Sequence, residues 1–426
     1  MTVLIFVGVL LGFMAFGVPI AFALLLSAIA LMFHLSFFDA QILAQNMLTG
    51  ADSFALMAVP LFMLAGEAMN AGGMSRRMVF LASTFVGHIK GGLGYVAIMA
   101  SILLAALSGS AVADAAALAS MLVPMLRSRG YDMNQATGLI AAGGIIAPII
   151  PPSISFIIFG VAANVSVTRL FIAGIVPGLL MGLTLVLVWA FISAKSKTIQ
   201  SSPKEPWPIR AKAMKEAGWA LLLPIIIIGG LRGGIFTPTE AAAVAAVYAL
   251  FVGMVVYKEI TIKSLYPLLV NAAMTTAVVM FLVAAALVTS YMITLADLPQ
   301  SLIEMLGPLV DSPMLLMFAI VILLTLVGTA MDLTPTILIL APVLMPVIKK
   351  ADIDPTYFGV IFIMVGCTGL LTPPVGTVLN VVCGVAKIRM EDIIKGVWPY
   401  VVAYTGLIAL LVIFPEIVLA PMRWFY

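Results

Sequence analysis

The stretch Gly144-Ile-Ile-Ala-Pro-Ile-Ile-Pro-Pro-Ser153 decides how this chain is read. It interrupts an apolar segment long enough to cross a bilayer. A near copy, Gly366-Cys-Thr-Gly-Leu-Leu-Thr-Pro-Pro-Val375, follows 222 residues later. Adjacent prolines remove two backbone donors and crowd the preceding turn, so no helix runs through either point unbroken. In hydrocarbon the freed amides and carbonyls need partners, and such a break persists only against protein or a polar cavity. Matched breaks in two matched halves mark the midplane site of a secondary transporter.

Composition sets the frame. The 426 residues are 63% hydrophobic and 9% charged, where soluble domains carry about 25% charged residues. With a mean hydropathy of +1.23, the chain reads as an all-α polytopic membrane protein. No period-2 alternation suggests a barrel. No Lys or Arg precedes Arg76, so the first apolar segment reads as a mature helix rather than a signal peptide. The net charge of +3 says nothing of nucleic acid. Cys367 and Cys383 share one apolar stretch, and His34 and His88 sit near segment ends, which argues against a disulfide scaffold or a metal site. There is no Walker A sequence, and no His-Glu-x-x-His or Gly-x-Ser-x-Gly pattern. An ATP motor or an intramembrane enzyme is therefore not expected.

The chain divides into a first repeat (1–195), a polar linker (196–215) and a second repeat (216–426). Residues 3–16 and 18–34 flank Gly17-Val-Pro19, as one tilted helix or two short ones. A span at 53–70 leads through Asn70-Ala-Gly-Gly73 into an amphipathic arm, 74–90. Two pieces of less than membrane length, within 93–127, meet at Ser108-Gly-Ser110 and read as a re-entrant hairpin. The broken helix 133–163 and a clean span at 168–194 follow. After the linker come 217–231, a span from Thr237-Pro-Thr-Glu240 to 257, and a span at 266–293. An acidic arm then runs through Asp297 and Glu304. The second hairpin, 313–349, has Gly328-Thr-Ala-Met-Asp332 at its tip. The second broken helix is 356–386 and the last span is 396–420.

Register supports the repeat. An offset of 222 places Pro346 on Pro124, Asp354 on Asp132, Gly366 on Gly144, Pro373-Pro374 on Pro151-Pro152, and Pro399 on Pro177. Upstream, an offset of 219 places Pro238 on Pro19 and Phe281 on Phe62. The change implies about three extra residues in the second hairpin. If Gly17-Val-Pro19 is a tight turn, each half crosses five times, so the halves insert with opposite orientation. With both termini outside, inner loops carry sixteen of the 21 Lys and Arg residues, as the positive-inside rule requires.

Helix ends at the tips and breaks offer carbonyl oxygens for a hard cation such as Na⁺ and amides for a carboxylate. The expected sodium positions are Ser108, Gly109, Ser110, Gly144 and Pro148 in the first half. In the second they are Gly328, Thr329, Asp332, Gly366, Thr368, Gly369 and Thr372. Asp114, Ser153, Ser155, Asn164, Thr377 and Asn380 are the expected substrate positions. For each hydroxyl the alternative is a bond to the preceding turn's carbonyl. For Asp114 and Asp332 it is helix capping, against ion binding or proton relay. Thr237 and Glu240 read as a capping box. Glu67, inside an apolar span, faces either the interior or a partner chain.

Several motifs together resemble one family: Gly-Gly-Leu-Gly94 leading to Ser-Gly-Ser-Ala-Val-Ala-Asp114, Pro-Ile-Ile-Pro-Pro-Ser153 and Leu-Thr-Pro-Pro-Val-Gly376. They resemble the large membrane subunit of tripartite ATP-independent periplasmic (TRAP) transporters, most of all the branch for sialic acid and other sugar acids. The resemblance covers essentially the whole chain. It implies an elevator-type, Na⁺-driven importer of the bacterial inner membrane, with arms and outer helices as a fixed frame and hairpins and broken helices as the moving part. It also implies two partners, a small four-helix membrane subunit on a separate chain and a periplasmic substrate-binding protein. Na⁺ is the coupling ion and no other cofactor is expected. A stand-alone Na⁺/carboxylate symporter of the same architecture, or a subunit serving C4-dicarboxylates, is the competing expectation.

Overall fold

The computed structural model describes residues 2–195, 203–298, 300, 304 and 307–425. Every regular element among them is helical. Among the described residues, nine helical stretches are long and apolar enough to cross a membrane. Apolar sequence with internally satisfied backbone is what hydrocarbon demands, and helices meet that demand without strand partners.

The first half opens with α1 (Thr2–Ala15) and α2 (Ile20–His34), which pack on each other. Gly17 at φ +81° sits in the turn between them, closed by bonds from Gly17 N to Met14 O and Val18 N to Phe13 O. The two-helix alternative is therefore the one adopted. Next comes α3 (Ala40–Ala51), a helix that hydropathy does not announce. Its start is signalled by Asp39, whose carboxylate accepts from the amides of Gln41 and Ile42 at 2.7 and 3.2 Å. A short 3₁₀ turn, Phe54–Met57, leads to α4 (Ala58–Ala71). The arm is α5 (Met74–Val86). The hairpin is α6 (Gly92–Ser108) and α7 (Ala111–Ser128), and the broken helix is α8 (Met133–Gly144) and α9 (Ile154–Ala163). The half closes with α10 (Val167–Lys195).

The linker is shorter than expected. Residues 196–202 lie outside the described residues, but α11 runs unbroken from Trp207 to Arg232, so 207–215 belongs to a helix. Pro206 and Pro208 mark its start, since proline is well tolerated in a helix's first turn. Next are α12 (Pro238–Phe251) and α13 (Ile262–Leu295). The Thr237–Glu240 capping box forms as read, with Thr237 N to Glu240 Oε2 at 2.8 Å. Of the acidic arm, residues 299, 301–303, 305 and 306 lie outside the described residues. The second hairpin is α14 (Pro313–Ala330) and α15 (Leu333–Lys350). The second broken helix is α16 (Pro355–Gly369) and α17 (Thr377–Ala386). The expected last span at 396–420 is two helices, α18 (Met390–Ile413) and amphipathic α19 (Glu416–Phe425), parted at Pro415.

The three-residue shift is mostly not inside the hairpin. The first hairpin helix has 17 residues in α6 and 18 in α14, so one extra residue lies there. The other two fall between Phe281 and Pro313.

The halves interlock rather than lie side by side. α4 packs on α12 and α8 on α18, while α17 packs on α7 and α9 on α15. Small residues permit the close approaches, as in membrane helix pairs generally. A Cβ at Gly138 would lie 2.5 Å from the Gly396 carbonyl carbon, and α12 turns Ala241, Ala242, Ala245 and Ala249 inward. Tyr404 on α18 donates to Ala142 O at 3.0 Å, satisfying one of the last carbonyls of α8 from the other half of the chain. The start of α5 is tied down by Arg77, which lies 2.7 Å from Glu259 and over the Tyr257 ring at 3.8 Å.

Candidate ion and substrate site

Each hairpin tip sits on the broken helix of its own half. In the first half, α6 ends at Ser108, Gly109 takes φ +63°, and Ser110 starts α7 as its N-cap, accepting from Ala113 N at 3.4 Å. A Cβ at Gly109 would lie 2.5 Å from Pro152 O and 3.2 Å from Ile154 N, so the tip backbone lies directly on the Pro-Pro segment. Below it, Gly144 abuts Ala111 O and Ala115. The break at 145–153 is buried throughout. Ser153 closes it locally: its hydroxyl donates to Pro148 O and accepts from Phe156 N at 3.2 Å, as N-cap of α9.

Asp114 lies in the first turn of α7 and is buried. Ser108 Oγ donates to its Oδ1, and Ser108 Oγ also accepts from Ser110 N at 3.2 Å. The second carboxylate oxygen, Oδ2, is buried and has no hydrogen-bond partner among the described residues. The cap of α7 is Ser110, so capping does not account for Asp114. A buried carboxylate oxygen facing no donor is costly unless a cation or a proton meets it.

In the second half, Gly328 and Gly369 touch backbone to backbone: a Cβ on Gly369 would lie 2.7 Å from Gly328 Cα. Val375 N donates to Thr329 O at 3.2 Å across the same contact. Gly366 abuts Leu333, as Gly144 abuts Ala111 under the 222 offset. Thr372 Oγ1 donates to Gly369 O at 2.9 Å, Thr368 Oγ1 to Met364 O at 2.9 Å, and Thr329 Oγ1 to Leu326 O at 2.7 Å. These hydroxyls make the bonds that the alternative for each Ser or Thr describes. Donating the proton still leaves each oxygen's lone pairs free for a cation. Here Pro373 and Pro374 are exposed, whereas Pro151 and Pro152 are buried.

Asp332 behaves differently from Asp114. It is exposed, and its Oδ1 accepts from Leu333 N at 2.9 Å as N-cap of α15. Under the repeat register it corresponds to Ser110, and Thr336 corresponds to Asp114. Capping is its observed role. Among the expected substrate positions, Ser153 and Ser155 are buried at the start of α9. Thr377 opens α17 with a buried hydroxyl that has no partner among the described residues. Asn380 Nδ2 donates to Val375 O at 2.6 Å, supporting the break. Asn164 does not join this group. It is an exposed C-cap at φ +54°, at the far end of the ten-residue α9, roughly 15 Å from the break at 1.5 Å per residue.

A cavity opens beside the first tip. Ser108, Ser110, Ala113 and Ile154 form one wall; Phe62, Gly66, Glu67 and Asn70 of α4 and Thr275 of α13 form the other. The sequence gives Glu67 two possible settings and does not single out Asn70 or Thr275. The i, i+3 spacing of 67 and 70 is the signal that places both on one face.

Membrane-length helices, two helices broken at the same register and two hairpin tips seated on the breaks define a polytopic helical permease. The chain belongs to the family described as tripartite ATP-independent periplasmic transporter, DctM component, whose model matches residues 7–417. Over 427 residues it is 55% identical to the 2,3-diketo-L-gulonate TRAP transporter large permease protein YiaN of Escherichia coli K12, covering all of both chains. It is 40% identical over 409 residues to the sialic acid TRAP transporter large permease protein SiaM of Vibrio cholerae, covering 96% of each. The crystal structure of the Alcanivorax borkumensis YdaH transporter shares its fold at a TM-score of 0.65 and 17% identity, covering 88% of this chain and 89% of that one.

Proposed function

We propose that this TRAP large permease imports a sugar acid across the bacterial inner membrane, driven by Na⁺. The observation that carries the reading is the first tip, where buried Asp114 presents an unpartnered oxygen beside Ser108 and a backbone pressed against Pro152. Oxygen ligands converging on a buried negative charge suit a hard monovalent cation. Ser108, Gly109, Ser110, Gly144 and Pro148 would supply one Na⁺ site. Gly328, Thr329, Gly366, Thr368, Gly369 and Thr372 would supply the second. Ser153, Ser155, Thr377 and Asn380 would bind the substrate's carboxylate.

Within sugar acids, the higher identity to a 2,3-diketo-L-gulonate permease than to a sialic acid permease favours a keto-sugar acid over sialic acid. The two repeats insert with inverted topology and both termini in the periplasm. The hairpins and broken helices (93–127, 133–163, 313–349 and 356–386) move as one body against the remaining helices. A small four-helix subunit completes the membrane part, and a periplasmic binding protein delivers the substrate. The test is uptake of labelled 2,3-diketo-L-gulonate by proteoliposomes holding the permease and its small subunit. Uptake requiring both an inward Na⁺ gradient and the binding protein is expected. Equal uptake in choline overturns the coupling, and equal uptake without the binding protein supports the stand-alone symporter.

A further inference from the structure

The cavity beside the first tip is lined by one carboxylate, which the proposed ion and substrate sites do not use. Glu67 is half-buried in the apolar helix α4, and no hydrogen bond or ion pair meets it among the described residues. Among the described residues, no Lys or Arg lines the cavity. The tip is close: a Cβ at the neighbouring Gly66 would stand 3.9 Å from Ser108 Cβ, in ordinary van der Waals contact. Ser108 in turn holds Asp114. Two carboxylates therefore flank the tip, one travelling with the hairpin and one fixed on α4.

The geometry points to Glu67 as a charge gate that makes cation loading obligatory. This rests on the sodium-coupled elevator reading above. A hairpin that carries an acid anion and Asp114, with no cation, brings negative charge toward Glu67 in a cavity that, among the described residues, no Lys or Arg lines, and like charges repel more strongly there than in bulk water. A cation bound at the tip cancels that repulsion, and the loaded body passes α4. Glu67 needs no contact with substrate or ion to do this. It is a positioning charge, and its effect appears in the coupling.

The experiment compares wild type, Glu67→Gln and Glu67→Asp in proteoliposomes with the small subunit and binding protein. Labelled 2,3-diketo-L-gulonate is the probe, and the readout is the ratio of Na⁺-free uptake to uptake at saturating Na⁺. Removing one charge of this kind is expected to raise the ratio about tenfold in Glu67→Gln, while Glu67→Asp, which keeps the charge, stays near wild type. A Glu67→Gln ratio equal to wild type overturns the gate. So does loss of transport at every Na⁺ concentration, which would make Glu67 a ligand or a structural residue. A wild type without Na⁺ dependence overturns the sodium reading and the gate with it. A Na⁺-dependent wild type with an unmoved variant overturns the gate alone.

Discussion

Replacing Gly109 with alanine separates two costs that the first hairpin tip combines. The residue holds φ +63°, where an L side chain costs about 1–2 kcal/mol. That cost is present in every state that keeps the turn. The second cost exists only when the tip rests on the break, because the new Cβ would stand 2.5 Å from Pro152 O and must move about 1 Å to reach an ordinary contact. Overpacking of this kind costs about 1–3 kcal/mol. If it falls on the ion-bound, docked tip, the Na⁺ concentration for half-maximal uptake rises about 5- to 150-fold. Gly130 is the internal control. It has φ +69°, but a Cβ added there would meet nothing within 4 Å, so Gly130→Ala carries the backbone cost alone. Na⁺ titration of uptake, with thermal unfolding of both variants in detergent, separates the terms. Gly109→Ala should lose Na⁺ affinity and more stability than Gly130→Ala, and Gly130→Ala should keep the wild-type Na⁺ affinity. A Gly109→Ala protein with the Gly130→Ala sodium response would refute the docking of tip on break as the basis of the site.

Ser108→Ala removes the donor to Asp114 Oδ1 and leaves both carboxylate oxygens without that support; a loss of about 1–3 kcal/mol should raise the Na⁺ concentration needed for thermal stabilisation about 5- to 150-fold, and an unchanged Na⁺ titration would remove the pair from the ion site. Tyr404→Phe orphans the Ala142 carbonyl at the end of α8 and should lower unfolding stability by about 1–2 kcal/mol, measured by thermal unfolding, whereas wild-type stability would show that this carbonyl is satisfied another way. In a Cys383→Ser background, Glu205→Cys should react with a membrane-impermeant maleimide only from the cytoplasmic side and Asp352→Cys only from the periplasmic side. Labelling of both from one side contradicts the inverted topology.

The fold is legible where backbone chemistry leaves a mark in the sequence. Pro151-Pro152 and Pro373-Pro374 fall between helix halves whose ends match the expected broken segments to within a residue or so. Ser108-Gly-Ser110 ends one hairpin helix and caps the next. The misses share a cause: they depend on local caps or on tertiary contact rather than on hydropathy. Helix α3 is modestly apolar and announced only by its Asp39 cap. The start of α11 is polar sequence that still folds as helix behind Pro206. Asn164 reads as a polar group in a broken helix, but its left-handed backbone makes it a C-cap. Asp114 and Asp332 look alike in sequence because each follows a tip. Register assigns them different places, and their hydrogen bonds assign them different work. Glu67 lines a cavity with residues distant in sequence, and Tyr404 bonds across to the other half, so no local pattern reveals either setting.

The most direct test measures ion and substrate together. Proteoliposomes containing the permease, its small subunit and the binding protein would receive ²²Na⁺ and labelled 2,3-diketo-L-gulonate in the same experiment, with K⁺ and choline as replacement cations. Two tips seated on two breaks lead to concentrative acid uptake accompanied by about two or more Na⁺ per acid, both shifted together to higher Na⁺ concentration in Ser108→Ala. Acid entering without ²²Na⁺, at the same rate in choline, would contradict the account.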